Sequence, residues 1–109
     1  MCDQLRADYL SCMGHDRLET PHIDDLASKG VLFSHAFCQA PICGGSRMSF
    51  YTGRYSFTHG ANWNGIPLNI SERTIGDYLR PLGYRVALVG KSHMVADREG
   101  MARLGIDPK

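Results

Sequence analysis

The stretch "APICGGSRMSFYTGR", residues 40–54, holds the densest chemistry in the sequence. Cys43 follows a proline-led entry, is followed by two glycines, and has Arg47 four residues on. A structural cysteine usually sits among apolar neighbours and acts as a small hydrophobe. A thiol at a helix start instead faces unpaired backbone N–H groups and the positive end of the helix dipole, a setting that favours a thiolate and binds anions. Gly44 and Gly45 remove side chains that would block an approaching oxyanion. Arg47, one helical turn on, can return its guanidinium to the same spot. On these residues alone, a purely structural cysteine in a glycine-assisted turn stays open as the alternative.

Two other constellations carry less. Gly90-Lys91-Ser92 imitates the tail of a phosphate-binding loop, but Arg85 stands where that motif needs a glycine, which argues against a nucleotide site. His35, Cys38, Cys43 and His59 are zinc-ligand types whose spacing matches no paired Cys and His pattern. His35 and Cys38 read as ordinary residues of a strand and its exit.

These side chains need elements to position them. "TPHIDDLASKG" predicts a helix, with Thr20 as N-cap, Pro21 at the first position and Lys29 in the last turn. Its apolar stripe is Ile23, Leu26 and Ala27, and Gly30 is placed to end it in the left-handed conformation. "VLFSHAF", residues 31–37, predicts a short strand. A helix begins just after Cys43 and stops at Gly53, and residues 58–68 read as loop. "SERTIGDYLRPLG" predicts a second capped helix, with Ser71 as N-cap and Pro81 closing it. "YRVALVG", residues 84–90, is apolar enough for a strand inside a sheet. Helix, strand, helix, helix, strand in that order argues for an α/β architecture.

Composition bounds the rest. The 109 residues allow one small domain with one core. Twelve Lys and Arg against eleven Asp and Glu leave a formal charge of +1, so no basic footprint for nucleic acid is present. No apolar run is long enough for a membrane span and no signal-peptide pattern is visible, which favours a cytoplasmic setting. In that setting Cys2, Cys12, Cys38 and Cys43 are expected to be reduced.

The span "PICGGSRMSFYTGRYSFTHG" resembles the sulfatase signature, in which a Cys-x-Pro-x-Arg core leads into a helix ending Thr-Gly-Arg. "DQLRADYLSCMGH", "TPHIDDLASKGVLFSHAF" and "GYRVALVGKSH" agree in order, so the likeness covers nearly the whole chain. Residues 1–109 thus resemble the N-terminal part of a sulfatase catalytic domain of the alkaline phosphatase superfamily, an α/β/α sandwich, cut at both ends. The resemblance implies that Cys43 is oxidised by a formylglycine-generating enzyme to formylglycine. The hydrated aldehyde, held on a divalent metal, then attacks a bound ester.

Carried over position by position, Asp3, Gln4 and Cys43 match the metal-side residues, with calcium favoured over manganese or magnesium. Arg47 matches the arginine that steadies the nucleophile. Lys91 and His93 match the Gly-Lys-x-His element that reaches the nucleophile and the transferring group, and Asn64 matches a substrate-side asparagine. Each has an ordinary alternative: a solvated lysine, a surface histidine, a terminal aspartate, a salt-bridge arginine.

Gln4 stands where many sulfatases have a second aspartate and phosphonate monoester hydrolases have glutamine. Gly45 stands where the family motif has proline. The expected substrate is a small-molecule sulfate ester; the alternatives are a phosphonate or phosphate ester, or an inactive remnant of the fold. Neither nucleic acid nor a membrane is an expected partner.

Overall fold

Pro21 opens one helix of this protein, and left-handed Gly53 and Gly60 end two others. The computed structural model describes residues 1–107 and divides the chain into two compact units, Met1–Phe37 and a second from Cys38 onward. All four cysteines are free thiols.

The first unit contains two short 3-10 turns, Ala7–Tyr9 and Ser11–Met13, and helix α1, Pro21–Lys29. Pro21 occupies the first turn, where its missing N–H costs nothing. Thr20 precedes it, but its hydroxyl does not cap the helix. It meets Ser11 Oγ at 2.8 Å and accepts from the Ser11 amide at 3.1 Å. Asp24 collects the rest: its carboxylate accepts from the Cys12 amide at 2.9 Å and from the Ser11 hydroxyl at 2.5 Å. Those bonds, led by the one from Ser11, hold its carboxyl below the usual carboxylate range. Of the expected apolar stripe, Leu26 is 72% exposed and Ile23 37%, while Ala27 is half-buried. Gly30 has φ −128°, so α1 does not end in the left-handed turn its glycine allows.

The second unit is built on α2, Cys43–Thr52, and the short helix α3, Ser56–His59, packed on it. Gly53, at φ 68°, ends α2 where the sequence places the stop. Met48 and Tyr51 of α2 form the core with Ala61 and Leu68. Residues 56–59 are helical, so the expected loop starts later than residue 58. Helix α4, Ile75–Leu79, begins at Thr74 rather than Ser71. Asp77 reaches back to the Thr74 amide at 2.8 Å, while the Ser71 hydroxyl is used in a turn with Asn69. Pro81 does not close α4; it continues into a 3-10 turn, Arg80–Leu82, ended by Gly83 at φ 84°. Helix α5, Arg98–Arg103, is capped by Asp97, which accepts from the Gly100 amide at 2.9 Å and the Ile70 amide at 3.0 Å.

Neither expected strand forms, and no strand is present among the described residues. Residues 31–37 and 84–90 carry apolar side chains into solvent, Phe37 at 85% and Val89 at 90% exposure. A strand is held by ladder hydrogen bonds to a neighbour and by burial of a face, and neither segment has them here. The expected α/β/α sandwich is therefore not realised in these residues, whose regular structure is helical. No helix among them is long and apolar enough to cross a membrane.

Candidate active site

The site grows from the start of α2. Ile42 is extended and Cys43 is the first helical residue, half-buried. The first intrahelical bond runs from the Ser46 amide to the Ile42 carbonyl at 2.9 Å, so the preceding amides need partners from elsewhere. Asn64, twenty residues downstream, supplies one. Its Oδ1 accepts from the Gly44 amide at 2.7 Å, and its Nδ2 lies 3.7 Å from Cys43 Sγ. One side chain thus caps the helix and touches the thiol.

The two glycines have a use the sequence alone did not suggest. A Cβ on Gly44 would fall 2.7 Å from Asn64 Oδ1 and 3.1 Å from the Trp63 carbonyl oxygen. A Cβ on Gly45 would fall 2.9 Å from the Asn62 carbonyl oxygen and 3.0 Å from Ala40 Cβ. The space they free is filled by the protein's own loop, residues 62–64, and this close approach is what brings Asn64 to Cys43.

Arg47 is 7% exposed, and its Nη1 donates to the Lys91 carbonyl at 2.5 Å. A buried guanidinium must be hydrogen-bonded, so this contact ties α2 to residues 91–93. The Tyr51 hydroxyl adds a long bond to the Ser92 carbonyl at 3.5 Å. The Lys91 side chain is exposed. His93 is half-buried, and its Nδ1 is buried with no hydrogen-bond partner among the described residues. Within the second unit the structure thus sets Asn64 against Cys43 and ties Arg47 to the Lys91 backbone, two residues before His93.

Asp3 and Gln4 belong to the first unit, both exposed. Among the described residues, the non-glycine positions with positive φ are Gln4 at 52° and His93 at 56°. Such backbone costs energy and concentrates where function demands it. Asp3 and Gln4 offer hard oxygens, the chemistry calcium takes, but calcium needs six or more ligands. No cluster of three His, Cys, Asp or Glu able to hold a metal occurs among the described residues. Asp3 and Gln4 therefore do not by themselves form a metal site among the described residues.

His59, weighed in the sequence only as a zinc-ligand type, has a structural place instead. It is 4% exposed at the end of α3, with Nε2 3.0 Å from Ser49 Oγ and Nδ1 accepting from the Ala61 amide at 3.1 Å. Burial pushes its pKa below the ordinary 6.5, with Arg54 reinforcing and Glu72 opposing. The signal was a histidine placed directly before Gly60, at a helix end.

Comparison with known proteins gives a consistent result. The family model described as Sulfatase matches residues 1–107. The chain is 37% identical over 92 residues to an ulvan-active sulfatase of Formosa agariphila, covering 84% of this chain and 18% of that protein. It is 39% identical over 106 residues to arylsulfatase D of Homo sapiens, covering 85% of this chain and 18% of that protein. Steryl-sulfatase of Rattus norvegicus is 38% identical over 107 residues, covering 86% of this chain and 18% of that protein. The chain thus spans about a fifth of the length of these relatives.

Proposed function

The chain belongs to the sulfatase family, and on that premise we propose that the protein hydrolyses sulfate esters with Cys43, converted to formylglycine, as its nucleophile. The observation that carries this reading is the entry to α2, where Asn64 holds both the Gly44 amide and the Cys43 side chain. Family membership implies an alkaline phosphatase-like sandwich for the whole protein. Sulfatases generally use formylglycine and a divalent metal, which together supply an acidified hydroxyl nucleophile and neutralise anionic charge. Asp3 and Gln4 are the oxygen side chains that would hold the metal; calcium fits such donors best.

The remaining chemistry belongs to this chain's own residues. Asn64 orients the side chain at position 43. The start of α2 contributes a partial positive charge beside residue 43, its Gly44 amide being taken by Asn64. Arg47 is a fixed cation, immobilised by the Lys91 carbonyl rather than free to follow the substrate. Lys91 supplies an ammonium for sulfate oxygens. His93, whose buried Nδ1 has no partner among the described residues, can bond a substrate oxygen or move a proton to the leaving group.

Aryl sulfate turnover by the full-length protein tests the reading, with mass spectrometry of the peptide containing residue 43. Co-expression with a formylglycine-generating enzyme should convert the thiol to the aldehyde, and Cys43→Ala should abolish turnover. Active protein with an unmodified Cys43 overturns it. Gln4 favours a second reading, phosphonate or phosphate ester hydrolysis, and faster turnover of an aryl phosphonate than of the sulfate selects that one.

A further inference from the structure

Residues 60–64 lie along α2 and are pinned at both ends. At one end Asn64 caps the Gly44 amide. At the other, the His59 ring bridges Ser49 Oγ on α2 and the Ala61 amide. Between the pins, Ala61 is fully buried against the core, and the Asn62 and Trp63 carbonyls cover Gly45 and Gly44. Ser49 lies six residues after Cys43, about 9 Å along the helix. The two pins therefore fix where the loop lies along α2.

We infer that His59 is a positioning residue: its ring holds the 60–64 loop on α2 and thereby sets Asn64 against Cys43. This rests on the reading of Cys43 as the reacting residue. The Ala61 amide is a donor, so Nδ1 must present its lone pair, and the ring proton of the neutral imidazole sits on Nε2, donating to Ser49 Oγ. A second proton on Nδ1 would oppose the Ala61 N–H and release that end of the loop. The charged groups acting on the ring are Arg54 and Glu72, paired at 2.7 Å. On α2, the helix packed against α3, the ionisable residues are Cys43, Arg47 and Tyr51. Arg47 donates to the Lys91 carbonyl and Tyr51 to the Ser92 carbonyl.

Burial lowers the folded-state pKa of His59, so the unfolded chain takes up the proton first. The stabilising contribution of His59 is present above the ordinary 6.5 and falls as pH drops below it.

The test uses the full-length protein and three variants. Ring-nitrogen NMR of the wild type should show the Nε2–H tautomer, titrating below 6.5. His59→Asn keeps an acceptor near the Nδ1 position but loses the bond to Ser49, and should shift the Asn64 side-chain amide signals as Ser49→Ala does. His59→Gln loses that acceptor and should shift those signals and lower kcat about tenfold or more, with KM changed much less, since misplacing a reacting group acts on the chemical step. Conversion of Cys43 should be equal in all. Ser49→Ala removes only the hydroxyl; it should shift the Asn64 signals in the same direction and serves where His59→Gln does not fold. Unmoved Asn64 signals in both His59→Gln and Ser49→Ala, or a wild-type Nδ1–H tautomer, overturn the inference. Absent aryl sulfate turnover in the wild type would sink the proposed function instead, and the Asn64 signals would still decide this one.

Discussion

Residues 43–64 and residues 84–90 are both read from the sequence with clear patterns, yet only the first forms the element its pattern predicts. The start of α2 is closed from several directions: Asn64 at its amides, loop carbonyls over its glycines, and Arg47 against the Lys91 carbonyl. The 84–90 segment has the more apolar sequence and remains irregular, its side chains largely in solvent. Helix start and stop signals act within a few residues, whereas a strand exists only through a partner. Apolar character by itself therefore predicts burial only where something is there to bury against.

The largest effect that sharpens this contrast is at Arg47. Arg47→Ala should lower kcat for an aryl sulfate in the full-length protein by about 10²–10³-fold, the typical loss for one preorganised charge-stabilising donor. The same change also leaves the Lys91 carbonyl without its guanidinium partner. Near-normal kcat would mean that the clamp between α2 and residues 91–93 has no part in the chemistry.

A smaller effect separates tight glycines from ordinary ones. Alanine is favoured over glycine within a helix by about 1 kcal/mol. At Gly76, where the nearest atoms to an added Cβ lie at 3.5 Å, Gly76→Ala should raise the unfolding free energy by up to that amount. At Gly45 the added Cβ meets the Asn62 carbonyl at 2.9 Å, and overpacking of this kind costs about 1–3 kcal/mol. Gly45→Ala should therefore destabilise, by chemical denaturation of the 109-residue chain. Opposite signs support the clamped loop; equal gains at both positions break it. A proline, the family residue at this position, carries the same Cβ and meets the same carbonyl.

These cases also show what the sequence could and could not carry. Pro21, Gly53 and the entry at Cys43 were legible because each acts on its own backbone. Thr74 was missed as the α4 cap because Ser71 offers the same chemistry three residues earlier, and only the reach of Asp77 distinguishes them. The buried tie between His59 and Ser49 and the filling of the space beside Gly44 and Gly45 depend on residues ten to twenty positions apart, which no local pattern encodes. Cys43, Arg47, Asn64, Lys91 and His93 were legible together only because the ordered blocks resemble a family. Of the fold, the helices were readable in outline, and the expected strands failed for want of partners.

The smallest effect tests the other half of the comparison. Valine and threonine have nearly the same shape, so Val89→Thr changes polarity while leaving volume almost alone. Hydrophobic stabilisation follows the area removed from water, and at 90% exposure Val89 has little to lose. In the 109-residue chain the unfolding free energy should stay within about 0.5 kcal/mol of the parent, as for surface substitutions generally. A buried valine would behave differently, because the new hydroxyl would lose water without gaining a partner, at a cost of about 1–3 kcal/mol. A loss of that size would mean that residues 84–90 are packed on both faces, as their apolar run predicts, and that the contrast with α2 does not hold.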